Sequence, residues 1–153
     1  DRGPARFVVL DSSAHRVTRR QLAWLDRVLD TPLRKILFTH IPPANLRGWT
    51  DFGGVKGVGG FQTGAQALTE LLSRRRVDRV YLGHIHCFGV QDFGGVRYIL
   101  TGGGGSPLYP LGAPDRFHHF LTVEVGPAGL RETLHTLDGA SVPIPRATVR
   151  LAR

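Results

Sequence analysis

The chain has no methionine, a single cysteine, and only two lysines among 20 basic residues. A lone Cys87 cannot form an internal disulfide, so the fold does not depend on oxidation. The absence of methionine even at position 1 carries the expectation that polypeptide N-terminal to Asp1 belongs to the same protein. No apolar run approaches the roughly 20 residues that cross a bilayer, so no membrane span is expected. Asp1-Arg2-Gly3-Pro4 opens polar, without the apolar segment of a signal peptide. Compartment is left open on these grounds. No glycine run ends in Gly-Lys-Ser/Thr, Gly53-Gly54-Val55-Lys56-Gly57 included, which argues against a Walker-type nucleotide loop.

What is present is ordinary for a globular chain of 153 residues: 41% hydrophobic and 21% charged. That is about one domain, long enough to bury roughly 70% of its unfolded surface. The formal charge of +8 raises the question of a polyanionic partner. The arginines are spread along the chain rather than striped with aromatics. The tight cluster Arg74-Arg75-Arg76 falls where a helix should end, and cations there complement the helix dipole. Nucleic acid is therefore not the expected partner.

Hydrophobic periodicity predicts a strand over Phe7 to Leu10, then a helix over Arg19 to Asp30 capped by Thr18 and stopped by Pro32. A strand from Lys35 to Thr39 follows, then a long loop from Ile41 to Gly60. A second helix covers about Thr63 to Arg75, and a strand runs from Val77 to Leu82. Strand, helix, strand, helix, strand implies parallel pairing through crossover helices. After His86 the chain changes character. Phe88–Asp92, Val96–Leu100, Phe120–Val125 and Leu130–His135 are short and partly alternating, with Gly-rich turns between them, and read as an antiparallel meander. Ser141 to Arg153 reads as an edge strand fading into a tail. The expected class is α/β, with one unit over 1–145 (a strand-helix-strand-helix-strand part over 1–86, antiparallel strands over 87–145) and a tail over 146–153.

Three of the seven histidines stand at the ends of apolar strands: His40 after Ile36-Leu37-Phe38-Thr39, and His84 and His86 after Val80-Tyr81-Leu82-Gly83. Ligands in open α/β sheets collect outside the carboxyl ends of the strands, and neutral imidazole suits zinc, iron and manganese. Three histidines could make one zinc site with water as fourth ligand. In a tight turn the two rings of His-x-His can instead diverge, each to its own ion of a catalytic pair. His15 and His135 read as structural or exposed, Asp11 as a turn former, and Cys87 as a small buried hydrophobe.

The sequence resembles the calcineurin-like metallophosphoesterases, in their purple-acid-phosphatase-like and bacterial phosphodiesterase branches. The resemblance rests on Ile36-Leu37-Phe38-Thr39-His40-Ile41-Pro42-Pro43, on Val80-Tyr81-Leu82-Gly83-His84-Ile85-His86, and on Tyr98-Ile99-Leu100-Thr101-Gly102-Gly103-Gly104-Gly105-Ser106 followed by His118-His119-Phe120. It implies the C-terminal half of a four-layer α/β/β/α sandwich with mixed sheets. It also implies a dinuclear centre of divalent or trivalent transition-metal ions (Mn, Fe or Zn), with His40 and His84 on one ion and His86 on the other. The implied activity is hydrolysis of a phosphoester, as phosphatase or phosphodiesterase, on a small molecule or nucleotide. The family's Asp-x-His, Gly-Asp and Gly-Asn-His-Asp/Glu motifs have no counterpart here, so the bridging carboxylate and the catalytic histidine would come from a missing N-terminal half. This chain alone is expected to be inactive. The alternative is a catalytically inactive metal-binding or assembly module derived from the same fold. Candidate substrate contacts are Asn45 and Arg47 in the long loop, Gly103 in the glycine run, and His119.

Overall fold

A computed structural model of the chain describes residues 1–46, 48–51, 55–108 and 116–144. Ten elements follow one another: β1 (Ala5–Leu10), α1 (Arg19–Val28), β2 (Arg34–Thr39), α2 (Ala65–Arg74), β3 (Arg79–Leu82), β4 (Phe88–Phe93), β5 (Val96–Thr101), β6 (His119–Gly126), β7 (Gly129–Thr136) and β8 (Ser141–Pro143). They build a five-stranded sheet in the order β1-β2-β3-β5-β4 and a three-stranded sheet in the order β6-β7-β8. The tail predicted over 146–153 lies outside the described residues.

The first half follows from periodicity and capping. Thr18 Oγ1 accepts from the Gln21 N–H at 3.2 Å, while Gln21 Oε1 accepts from the Thr18 N–H at 2.8 Å. This reciprocal box satisfies two donors that a helix start otherwise leaves open. Both helices cover one face of the large sheet. Leu25, Leu68, Leu71 and Leu72 pack there on Val8, Leu10, Leu37, Val80 and Leu82. Arg75 pins α2 to α1 through Asp26 at 2.6 Å and Asp30 at 2.9 Å.

The second half differs from a single meander. β4 and β5 do form a hairpin, closed by Gly94 and Gly95 at φ 59° and 76°. Two successive positive φ values are what a type I′ turn requires. Yet β5 then pairs parallel with β3, with Tyr81 opposite Ile99, so the hairpin joins the parallel sheet. Continuous burial along β5 explains this, because its alternate residues serve two cores. Only β6 to β8 form a purely antiparallel layer.

That second layer packs on the sheet face away from the helices. Ala5, Ile36, Tyr81, Phe88, Ile99, Leu134 and Ile144 fill the space between the sheets. A polar clasp sits within it. The buried Glu132 of β7 accepts from Arg79 Nε and from the Tyr81 hydroxyl, both at 2.7 Å. Burial beside that carboxylate pushes the Tyr81 hydroxyl far above the ordinary tyrosine range, so it stays protonated and donating. The cover is incomplete. Phe7, Val9 and Phe38 lie on the same face of β1 and β2 yet are 41%, 75% and 37% exposed. Phe38 stacks on Phe7 at 6.5 Å and on Tyr81 at 5.3 Å, so the inter-sheet core runs out onto an open apolar face.

Candidate metal centre

The parallel register brings the C-terminal ends of β1, β2 and β3 to one lip, with Leu10 opposite Thr39 and Thr39 opposite Leu82. One buried hydroxyl fastens it. Ser12 Oγ accepts from the Thr39 hydroxyl and from the Ile41 N–H, both at 2.9 Å. The segment after β1 is thereby tied to the end of β2 where His40 emerges. Pro42 and Pro43 then turn the chain out of the sheet, and Phe61 returns to bond the Pro42 carbonyl at 3.0 Å.

His40 and His84 come together at this lip, with ring centres 5.4 Å apart and planes at 78°. Gly83 sets their approach, since a Cβ there would lie 3.0 Å from His40 Nδ1. His84 adopts φ 69°, a left-handed backbone that aims its side chain out of the strand direction. Desolvation, then the neighbouring rings of His40, His15 and His86, hold the His84 imidazole below its ordinary protonation range. No carboxylate figures among those influences. The neutral form is the one that coordinates metals.

His86 is set differently. Its Nδ1 lies 2.8 Å from the Pro107 carbonyl. A carbonyl can only accept, so Nδ1 carries the proton of the neutral ring and Nε2 keeps its lone pair. Metal-bound histidines characteristically give their second ring N–H to such a backbone oxygen.

The remaining candidates divide. His119 is 3% exposed, its Nδ1 donates to the Phe117 carbonyl at 2.9 Å, and its Nε2 takes the Thr101 hydroxyl at 3.2 Å. With both nitrogens engaged and burial lowering its affinity for protons, it is a strut under the glycine run. Gly103 is the matching half of that strut. A Cβ there would meet His119 Nδ1 at 2.2 Å, and its carbonyl accepts from the His119 N–H at 3.1 Å. Asn45 is half-buried and donates Nδ2 to Thr69 Oγ1 at 2.8 Å, which turns it toward α2. Arg47 lies outside the described residues. Asp11 is exposed and accepts from the Ser13 N–H at 2.8 Å, and the Ser13 hydroxyl and N–H hold its carboxyl below the usual range. Cys87 is buried in the helix-side core.

His15, read from sequence as structural or exposed, is exposed and lies beside His84. Its ring centre lies 5.6 Å from that of His84, so His84 is flanked by two imidazoles. A single histidine in a polar turn gives no periodic signal, and only the fastening through Ser12 puts it there. Among the described residues, no three His, Cys, Asp or Glu side chains are arranged to hold an ion. The chemistry of the donors suits transition metals, but the set is short of a complete site and lacks a carboxylate.

Two solved structures share this architecture. The inner-membrane-complex anchor GAP50 of Plasmodium matches at TM-score 0.70 and 14% identity, over 95% of this chain and 50% of that one. Purple acid phosphatase PPD1 from yellow lupin (Lupinus luteus) matches at TM-score 0.62 and 18% identity, over 99% of this chain and 35% of that one. The chain has a metallophosphoesterase fold. It spans half or less of the length of these two neighbours. No protein-family model matches the chain, and no curated protein matches it in sequence. No helix among the described residues is long and apolar enough to cross a membrane.

Proposed function

We propose that the chain is one part of a metal-dependent phosphoester hydrolase, contributing His40, His84 and His86 to a centre completed by further polypeptide. The observation that carries this reading is the meeting of His40 and His84, the latter held below its ordinary protonation range, at one strand lip of a metallophosphoesterase fold. His86, with Nδ1 committed to the Pro107 carbonyl, adds a ring oriented as metal ligands are. Bound ions would supply charge stabilisation for phosphoryl oxygens and a more acidic water. The chain's own residues would hold and orient: Ser12 fixes the lip, Gly83 sets the His40–His84 approach, and the Pro107 carbonyl fixes the His86 tautomer.

The open face of Phe7, Val9 and Phe38 supports the view that more of the sandwich belongs here. It continues the inter-sheet core, and the two fold neighbours are at least twice as long as this chain's match to them. An added β-layer would cover it and could bring the carboxylates the lip lacks. The unit over 1–145 is thus read as the C-terminal half of the complete domain. The substrate is read as a small phosphoester or nucleotide, with the loop after His40 as its wall.

The test is hydrolysis of p-nitrophenyl phosphate and its bis-ester with added manganese, by the chain alone and joined to an N-terminal half. Turnover should need the joined form and vanish in His84→Ala. Activity indifferent to chelation would overturn the reading. A second reading, an inactive assembly module, is favoured by two observations: among the described residues no three donors are in position to hold an ion, and one fold neighbour is described as an anchor. Metal binding without turnover in the joined form would select it.

A further inference from the structure

We infer that a cavity at the N-terminal ends of β3 and β5 binds a small phosphate-bearing anion, with Arg76 as the residue that holds it. The cavity measures about 470 Å³, a size that suits a small ligand, and Arg76, Arg79, Arg97, Ser73, Asp78 and Asp92 stand in its wall. It lies at the other end of the strands from His40 and His84, so nothing in the inference depends on the histidine lip.

The backbone of Arg76 is the first ground. α2 ends in a paired cap: the Val77 N–H donates to the Leu72 carbonyl and the Arg76 N–H to the Ser73 carbonyl, both at 3.0 Å. Arg76 takes the left-handed position of that cap, at φ 52°. Glycine fills such a position without cost, whereas any side chain raises the backbone energy. A residue held there against that cost points to a use of its side chain.

Charge is the second ground. Arg97 forks onto Asp92 at 2.9 and 3.0 Å, and Arg79 gives Nε to Glu132 at 2.7 Å. Asp78 accepts from Arg34 at 3.2 Å and from the Lys35 N–H at 2.8 Å. The other charges of this wall are thus matched, both carboxylates included. Among the described residues the Arg76 guanidinium has no hydrogen-bond or ion-pair partner. Arg76 also lines the adjoining cavity of about 500 Å³, where Arg34 and Lys35 join the wall. Across the two hollows Arg34, Lys35, Arg76, Arg79 and Arg97 outnumber Asp78 and Asp92.

The wall is also built in advance. Ser73 Oγ donates to the Gly94 carbonyl at 2.6 Å, which ties the end of α2 to the β4–β5 turn. Arg76 just past α2, Arg79 on β3 and Arg97 on β5 therefore border the hollow from three elements. That suits an oxyanion accepting on several sides, such as a phosphate monoester, better than a planar carboxylate, which a single guanidinium fork saturates.

The experiment is titration of the isotope-labelled 153-residue chain with inorganic phosphate, adenosine monophosphate and acetate at constant ionic strength, read by the amide shifts of Arg76, Val77, Gly94 and Gly95. Both phosphates should shift these amides saturably, and acetate should not. Tighter adenosine monophosphate assigns a nucleotide as the source, and equal affinity assigns the phosphoryl group itself. In Arg76→Gly phosphate affinity should fall about tenfold or more, and in Arg131→Gln it should not change. Arg76→Gly should melt at the parent temperature or up to about 4 °C higher, because its position favours glycine. A lower melting temperature would mean that Arg76 serves the dipole of α2, and would overturn the inference. Unchanged phosphate affinity in Arg76→Gly, equal shifts with acetate, or no saturable shift would overturn it too. Each of these failures leaves the reading of the histidine lip standing.

Discussion

Gly83→Ala isolates the geometry of the lip from its chemistry. Gly83 has no positive φ to lose, and its N–H, which donates to the His40 carbonyl at 3.0 Å, is kept by alanine. The added methyl would stand 3.0 Å from His40 Nδ1 and 3.4 Å from Cε1. Carbon and nitrogen in ordinary contact lie about 3.5 Å apart or more, so the His40 ring must give way by roughly half an ångström. His40 is exposed, so the ring can yield at little cost to the fold, and thermal stability should change by less than about 1 kcal/mol. Metal affinity should suffer more. Displacing a ligand without removing it typically costs about 10–100-fold, or about 1.4–2.7 kcal/mol. Isothermal titration of zinc or cobalt against the chain and the variant reads this directly. Unchanged affinity in a folded Gly83→Ala would refute the argument that the His40–His84 spacing is a ligand spacing.

Three further outcomes follow from the structure. Glu132→Ala should lower stability by about 3–5 kcal/mol in urea denaturation, because Arg79 and the Tyr81 hydroxyl lose their shared buried partner between the sheets. Folding holds the imidazoles of His84 and His119 below their ordinary value of 6.5, so the unfolded chain binds more protons as pH falls. Their contribution should be complete above 6.5 and lost as pH drops below it, a trend that chemical denaturation at several pH values would register. Val9→Thr, at a side chain 75% exposed, should leave stability unchanged within about 1 kcal/mol, while Phe38→Thr, which ends the stacking on Tyr81, should cost more in urea denaturation. The same pair should weaken assembly with an N-terminal half, and equal assembly would mean that the apolar face is not covered there.

The strand lips were legible because apolar runs followed by His40 and by Gly83-His84 mark chain direction and position together. The helices were legible from their stripe and from Thr18. The destination of β5 was not. A hairpin signal such as Gly94-Gly95 fixes the pairing of β4 with β5 but says nothing about which sheet the hairpin joins, a choice made by burial on both faces of Val96–Thr101. Strand alternation left His118 and His119 equivalent in sequence. The packing of His119 on Phe88 at 5.3 Å and its bonds to Thr101 and Phe117 assign it to the interior.

The account stands most directly on where a metal goes. Crystals of the chain soaked in zinc or manganese, with diffraction recorded at the metal's absorption edge, should give an anomalous peak within about 2.0–2.3 Å of a nitrogen of His40 and of His84. A well-occupied ion elsewhere on the molecule, with that lip bare, would contradict it.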